Sequence, residues 1–282
     1  AFNDNEKYGY GNMNISAHWR AIFSEQFMAN FSAGYDHYDY KNDETVDSVQ
    51  AARLSFSIDQ YFAKANFNWE LEKHKLNFGA STLLYNIGAG TYEPLGNLSM
   101  VAYDKLQKDK ALESAVYVGE EWEVTPKLSF NAGIRYSMFN ALGPRDYYTY
   151  QPGTLPSEST IADTVRVTGN KVLKTYHGPE FRLSGRYAFN DDFSVKAGFN
   201  TMRQYIHKVS NTMVMSPTDT WKLSDMYIEP QTGMQYSLGF YKNFNGGDLE
   251  ASVEGYYKTL DNYLDYRSGA QLLMNDHLET EV

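Results

Sequence analysis

The strongest constraint on the fold is a strict two-residue alternation in the segment 234–263. Its first arm has apolar side chains at every second position from Met234 to Phe240. Residues 245–248 (Asn-Gly-Gly-Asp) favour a tight reversal, because Gly and Asn tolerate positive φ. The return arm also alternates, and one of its faces carries three charged side chains, Glu250, Glu254 and Lys258. A dry core would exclude these charges. An apolar face toward lipid and a polar face toward a wet lumen are typical of a transmembrane β-barrel.

Composition is compatible with this interpretation. The chain has 282 residues, enough for one large all-β domain, and contains 24 tyrosines. It has no cysteine, which excludes a disulfide scaffold and a thiolate metal site. No apolar run is long enough for a spanning helix, and the mean hydropathy is -0.55. Barrel strands escape a hydropathy scan because only every second residue is apolar. The formal charge of -10 argues against a nucleic-acid partner.

The same alternation recurs along the chain and predicts about ten strands. One predicted strand, roughly Gln50 to Leu71, is far longer than the roughly 10 residues that a bilayer requires, so part of it must project beyond the membrane. Its apolar parity changes near Asp59-Gln60, which predicts a β-bulge there. Two sets of residues are expected to face lipid, before and after the bulge: Leu54, Phe56 and Ile58, then Tyr61, Ala63, Ala65, Phe67 and Trp69.

The predicted connections are of two kinds. Short turns are expected near 24–26, 72–74, 125–127, 190–192 and 245–248. Long loops are expected near 41–49, 86–111, 141–172, 207–231 and after 264. Short turns at one end and long loops at the other are typical of an outer-membrane barrel, with the turns in the periplasm and the loops outside the cell. This pattern favours an all-β, antiparallel up-and-down transmembrane barrel over a soluble β-sandwich or propeller.

Several segments carry a resemblance to a known family. They are Trp221-Lys222-Leu223-Ser224-Asp225, Ile228-Glu229-Pro230-Gln231, Gln235-Tyr236-Ser237-Leu238-Gly239, Val253-Glu254-Gly255-Tyr256-Tyr257-Lys258 and Leu264-Asp265-Tyr266-Arg267-Ser268-Gly269-Ala270. These segments resemble the central part of the barrel of TonB-dependent outer-membrane receptors. The resemblance is greatest to the branch with a carboxypeptidase-regulatory-like N-terminal domain.

The resemblance implies a larger protein in the outer membrane. Such receptors have about 22 strands around a plug, so residues 1–282 are expected to be a partial barrel domain without the plug, the N-terminal region and the last strands. The implied function is import of a nutrient ligand (glycan, peptide or metal chelate) into the periplasm, without enzymatic activity. The implied partners are the lipid bilayer, the plug and remaining strands, and TonB through the N-terminal part. A surface lipoprotein is a further candidate partner.

Two groups of residues are candidates for function. Charged side chains at lumen-facing positions would line a substrate path or pair with one another and with the plug, which is the favoured alternative: Arg20, Arg53, Arg135, Arg182, Arg186, Lys196, Glu250 and Glu254. Aromatic side chains on long loops would bind a ligand or pack the loops together: Tyr92, Tyr103, Tyr147, Tyr148, Tyr150, Trp221 and Tyr227. Such rings suit stacking on a sugar or a peptide.

A second class of function also stays open. Ten strands are the size of a complete outer-membrane protease of the omptin type, and His177 with Asp146 or His207 with Asp219 are candidate pairs for that chemistry. A soluble surface β-protein is a third alternative. The six histidines show no metal-site spacing, so no metal ligand and no cofactor are predicted.

Overall fold

The structure is a computed structural model that describes residues 5–209, 220–244, 246, 248–266, 274–277 and 280–281. Ten long strands form the main sheet: β1 (Glu6–Ile22), β2 (Phe27–Glu44), β3 (Ala52–Glu70), β4 (His74–Pro94), β6 (Lys108–Thr125), β7 (Leu128–Leu142), β10 (Val172–Asn190), β11 (Phe193–Gln204), β14 (Gln231–Phe244) and β15 (Leu249–Asp261). Shorter strands lie in the connections: β5 (Asp104–Lys105), β8 (Arg145–Tyr150), β9 (Ile161–Val167), β12 (Ile206–Val209), β13 (Thr220–Leu223), β16 (Asp265–Tyr266) and β17 (Thr280–Glu281). Within these ranges, no helix is long and apolar enough to cross a membrane.

The main sheet is an antiparallel meander. Each long strand pairs with the long strands before and after it in the chain, and β1 and β15 lie at the two edges. The five short connections lie where the sequence predicts tight turns, and they all fall at one end of the sheet. The first two hairpins, for example, turn at 23–26 and 71–73. The predicted up-and-down topology and the sorting of turns from loops are confirmed.

One face of the sheet exposes a broad apolar surface. Ile15 is 62% exposed, Val116 59% and Val253 72%, although these are side chains that a water-soluble sheet would bury. Rows of aromatic rings border this surface. The rings of Tyr35 and Tyr61 lie 4.8 Å apart at the end that leads to the long loops. A soluble sandwich is therefore wrong for this chain, because its apolar columns point outward.

The apolar surface has the height of a membrane. The ring of Trp69 lies 6.4 Å from that of Phe27 at the short-turn end of the sheet. Trp69 and Tyr61 are separated by eight residues of β3, which corresponds to about 26 Å along the strand at ~3.3 Å per residue. A tilted transmembrane β-strand needs about 9–11 residues to cross the bilayer core, which the segment from Tyr61 to Trp69 matches. We call this apolar face the outer face and the opposite one the inner face.

The bulge predicted near Asp59-Gln60 is wrong. At these two residues β3 pairs without interruption with both β2 and β4. A register shift lies instead between Ser55 and Ser57, in the pairing with β4. The pairing with β2 stays regular there as well, so β3 alternates faces along its whole length.

The apolar positions of β3 change from one face to the other beyond the aromatic row. The inner face is apolar there and the outer face is polar, which is the reverse of the arrangement at membrane level. Alternation places Leu54, Phe56 and Ile58 on the inner face, and the predicted lipid contact of these three residues is wrong. The outer face becomes polar at the same level. His37 Nδ1 lies 2.8 Å from Asp59 Oδ1, and Arg53 Nε donates to Asp43 Oδ1 at 2.6 Å. Arg53 therefore lies on the outer face, and its predicted lumen-facing position is also wrong.

A small dry core covers the inner face at this level. The hairpin formed by β12 and β13 folds onto β4, β6 and β7, so that apolar side chains of the hairpin meet those of the wall. The ring of Tyr205 stacks on Phe139 at 4.7 Å, and the Tyr205 and Ser137 hydroxyls lie 2.8 Å apart. The buried members of this core are Tyr85, Ile87, Ala111, Phe139, Ala141, Tyr205 and Leu223.

The long loops contain more regular structure than the sequence predicts. β4 continues to Pro94, well into the predicted loop 86–111. The predicted loop 141–172 contains the β8–β9 hairpin, and 207–231 contains β13 and most of β12. The long connections are therefore partly folded layers on the sheet.

Candidate ligand-binding loops and inner face

Four of the seven loop aromatics meet in one cluster at the loop end of the sheet. Tyr147, Tyr148 and Tyr150 lie on β8, and the ring of Tyr227 lies 6.3 Å from Tyr147 and 6.5 Å from Tyr150. His277 also belongs to the cluster, although no sequence pattern singles it out. Its Nδ1 lies 2.7 Å from the Tyr150 hydroxyl, and its ring is 4.9 Å from Tyr148. We call these five residues the tyrosine cluster.

Hydrogen bonds to neighbouring segments fix the position of the tyrosine cluster. Gln107 bridges β8 with its side-chain amide, because Asp146 N donates to its Oε1 at 2.7 Å and its Nε2 reaches the Tyr148 hydroxyl at 3.3 Å. The Tyr227 hydroxyl donates to the main-chain oxygen of Tyr148. Asp225 Oδ1 accepts from Tyr227 N at 2.8 Å and so shapes the turn that carries this ring. Three chain segments thus hold the same set of rings.

The cluster presents neutral phenols to its surroundings. Burial raises the pKa of Tyr147 and of Tyr150 to about 12. Burial and the nearby Asp225 carboxylate also raise the pKa of Tyr227. Exposure separates the members, since Tyr147 is 5% exposed and Tyr227 is 50% exposed. Tyr227 therefore exposes one face of its ring while its hydroxyl is bonded to Tyr148, whereas Tyr147 is buried beneath the other rings.

The other three loop aromatics lie elsewhere. Trp221 lies on β13 and packs against the dry core of the inner face, in a narrow cleft with Phe56 and Ile87. This contact holds the hairpin on the wall and favours the loop-packing alternative for Trp221 over ligand binding. Tyr92 lies in β4, and Tyr103 is an exposed residue just before β5.

A buried ionic cluster lies at the base of the two hairpins. Arg145 Nη1 donates to Asp109 Oδ1, and Lys222 Nζ lies 3.7 Å from Asp109 Oδ2. Each of the three side chains is at most 8% exposed. Burial and the Arg145 charge lower the pKa of Lys222 to about 8, while Asp225 and Asp276 act in the opposite direction. Sequence reasoning missed this group, because each member comes from a different part of the chain.

A second charged group lies on the inner face within the barrel wall. Arg135 Nη2 lies 3.1 Å from Glu113 Oε1, and Arg135 Nε lies 3.5 Å from Glu180 Oε1. The Tyr85 hydroxyl donates to the other oxygen of Glu113 at 3.1 Å. This group borders a concave polar groove of about 660 Å³ that also includes Lys64. The groove shows that the inner face is polar at membrane level.

The remaining lumen-facing candidates lie at inner-face positions of the sheet, with unequal partners. Arg20 Nε donates to Asn30 Oδ1 at 3.1 Å, and Glu254 accepts from the Tyr241 hydroxyl at 2.9 Å. Glu250 lies on the same face of β15 and is exposed. A group of three cations lies on β10 and β11: Arg182, Arg186 and Lys196. The structure shows no carboxylate partner for these three among the residues that it describes.

The candidate protease residues do not assemble where the structure describes them. His177 Nδ1 lies 2.6 Å from the Tyr136 hydroxyl on the outer face. Asp146 instead holds Arg166, with Nη2 to Oδ2 at 3.0 Å. His207 is 2% exposed and lies 2.9 Å from the Ser224 hydroxyl, while its candidate partner Asp219 lies outside the described residues. In the described part of the chain, no group of three or more His, Asp or Glu side chains is arranged to hold a metal ion.

An exposed apolar band between aromatic rows, a polar inner face and a folded cap of loops define a β-barrel of the outer membrane. The chain belongs to the family of TonB dependent receptor-like beta-barrels, whose family model matches residues 1–275. No curated protein matches it in sequence. The omptin alternative has no support from these similarities.

Solved structures confirm the fold. The copper transporter OprC is 12% identical with a TM-score of 0.69, and the match covers 98% of this chain and 43% of that one. The ferripyoverdine receptor of Pseudomonas aeruginosa is 14% identical with a TM-score of 0.58, covering 91% and 34%. The RagAB peptide transporter is 9% identical with a TM-score of 0.57, covering 92% and 31%. The chain thus spans less than half the length of each of these proteins.

Proposed function

We propose that this chain is part of the barrel of an active importer, which captures a nutrient ligand at the cell surface and passes it to the periplasm under TonB drive. The observation that carries the proposal is the tyrosine cluster at the loop end of a family barrel, with Tyr227 50% exposed. Neutral phenols that stack and donate suit a glycan, a peptide or an organic metal chelate. The three similar proteins bind or transport copper, ferripyoverdine and peptides.

The proposal extends to the rest of the receptor. The described residues supply ten long strands, which are proposed to be part of a larger barrel because the edges of β1 and β15 need further strands to pair with in lipid. The plug is proposed to lie against the inner face, where Arg135, Arg182 and the groove beside them offer polar contacts. Membership of the carboxypeptidase-regulatory-like branch and a surface lipoprotein partner both stay predictions. The protein is proposed to bind and move its ligand without catalysing a reaction.

An uptake experiment tests this function and identifies the ligand at the same time. Cells with the intact receptor gene, cells lacking it and cells lacking TonB are grown in the same complex medium, and the solutes that remain are compared by mass spectrometry. We expect at least one class of solute to disappear only when both the receptor and TonB are present. Identical depletion by all three strains would refute the importer.

Single substitutions then test the site. Tyr227→Ala is expected to lower uptake of that solute about tenfold or more, because loss of an exposed stacking ring weakens capture. Tyr103→Ala is the matched control, since Tyr103 is 60% exposed on another loop of the same end. Equal effects of the two substitutions would remove the tyrosine cluster from the binding site but would leave the importer proposal standing.

A further inference from the structure

The buried ionic cluster connects the barrel wall to both loop hairpins. Asp109 lies in β6 and is paired with Ile87 of β4, so it belongs to the wall. Arg145 is the first residue of β8, and Lys222 belongs to β13. The two cations therefore reach the same carboxylate from two separate hairpins. Among the described residues, the buried Asp109 Oδ2 accepts no hydrogen bond, and the Lys222 ammonium at 3.7 Å is its charged neighbour.

Each cation lies just before a tyrosine of the cluster in the chain. The Arg145 guanidinium is 5.7 Å from the ring of Tyr147, two residues further along β8. Lys222 is followed closely by the turn at Asp225 that orients Tyr227. The position of these rings thus depends on where the two cations are held.

We infer that Asp109 is a positioning residue for ligand capture, which holds the β8–β9 and β12–β13 hairpins against the wall so that the tyrosine cluster forms between them. The capture part of this inference rests on the proposed function, whereas the docking of the hairpins does not. Neutralising a buried carboxylate that two buried cations share removes their common counter-charge, which is strongly destabilising. The hairpins are the parts that can respond, since strand pairing on both sides holds β6 in the wall.

Hydrogen exchange followed by mass spectrometry on the full receptor in detergent tests the docking. Asp109→Asn keeps the shape and removes the charge. We expect exchange to become at least about tenfold faster in both peptides, 145–150 and 220–228, and to stay unchanged in the wall peptide 128–136. Asp104→Asn is the matched control, because Asp104 is an exposed acid just before β6, and it should change none of the three peptides. Unchanged exchange in the hairpins of Asp109→Asn, or equal acceleration in the wall, would overturn the inference.

Two further variants separate the charge effect from a general loss of folding. Lys222→Met replaces one of the two cations by an apolar side chain and should leave the hairpins docked. The double variant Asp109→Asn, Lys222→Met should restore the protection of peptide 220–228 from exchange. Arg145→Lys should loosen 145–150 alone, which keeps the inference testable if Asp109→Asn does not fold. No restoration in the double variant would refute the shared-carboxylate mechanism.

A ligand measurement completes the test. With the solute identified by the uptake experiment, Asp109→Asn should raise the KM for uptake about tenfold and leave the maximal rate unchanged, because capture is weakened and the transport path is not. A fall in the maximal rate alone would refute the positioning role. The exchange experiment involves no ligand, so it can succeed or fail independently of the proposed function.

Discussion

Burial decides what each candidate side chain is able to do. Tyr227 and Tyr147 belong to the same cluster, but one is half exposed and the other is 5% exposed. Trp221 has the largest ring among the candidates, and this ring packs against the dry core of the inner face. The loop aromatics are identifiable as a group from the sequence, since their number and position are visible in the chain. The sequence does not distinguish the exposed rings from the buried ones, because that distinction depends on how the hairpins fold back.

Lys222 gives a pH dependence whose sign follows from its surroundings. Its pKa is lowered from 10.5 to about 8 in the folded protein, so the unfolded chain binds more protons between these two values. The free energy of unfolding should therefore rise with pH from about 8 to about 10.5, and the penalty is fully present below pH 8. The upper limit of this rise is about 3–4 kcal/mol, since the shift is about 2.5 pKa units and one unit corresponds to about 1.4 kcal/mol.

The measurement is the denaturant-unfolding free energy of the receptor in detergent at several pH values, for the natural protein and for Lys222→Met. Subtracting the variant removes the titration of all other groups. We expect the difference between the two proteins to change across this window in favour of the natural protein. Parallel curves would show that Lys222 keeps an ordinary pKa.

At the scale of strands and hairpins, the sequence predicts the membrane part well and the projecting part poorly. Between the aromatic rows lipid lies outside and water inside, so side-chain polarity reports the face directly. Beyond Tyr35 and Tyr61 the outer face meets water and the inner face meets the β12–β13 hairpin. In β3 the apolar side chains therefore move from the outer face to the inner face, although the register of the strand does not change. In the sequence, such an exchange of faces looks the same as a β-bulge. The bulge predicted near Asp59-Gln60 is wrong because the β12–β13 hairpin, which is distant in the sequence, covers the inner face.

Thiol labelling tests the continuous alternation of β3. Residues 1–282 contain no cysteine, so a substituted cysteine is the single thiol in this part of the receptor and its labelling is read from the peptide that carries it. Ser57→Cys is expected to react readily with a water-soluble maleimide in the full receptor, because this side chain lies on the outer face above the aromatic row. Ala52→Cys should be protected at least about tenfold, since Ala52 is 1% exposed on the inner face. Faster labelling of Ala52→Cys than of Ser57→Cys would contradict continuous alternation and support a bulge in β3.

At the scale of the whole receptor, three cations of the inner face predict an acidic partner, because they have no carboxylate partner among the residues that the structure describes. Arg186 and Lys196 are direct cross-strand neighbours on β10 and β11. Like charges in this position destabilise a sheet, so an acidic segment of the plug is expected to lie against them. The family match supports a plug in the complete receptor.

Zero-length carbodiimide coupling, which joins an amine to a carboxylate in contact, tests this expectation. In the full receptor we expect Lys196 to couple to an acidic residue outside 1–282, as shown by mass spectrometry of the linked peptides. Lys196→Arg should abolish the product, and the exposed turn residue Lys73 should give no such link. Coupling of Lys196 to Glu250 or Glu254 alone would show that the barrel neutralises its own charge.

The meander also bears on how such walls change in size. In the described sheet each long strand pairs only with the long strands next to it in the chain, so none of these pairings depends on a distant strand for its register. Each hairpin contributes its own apolar outer surface and polar inner surface, together with one loop at the cell surface. Duplicating or losing a hairpin would therefore widen or narrow the pore by two strands and leave the neighbours' hydrogen bonding as it was. Evolution can in this way change the diameter of the barrel and its surface loops without changing the strand pairing that holds the wall together.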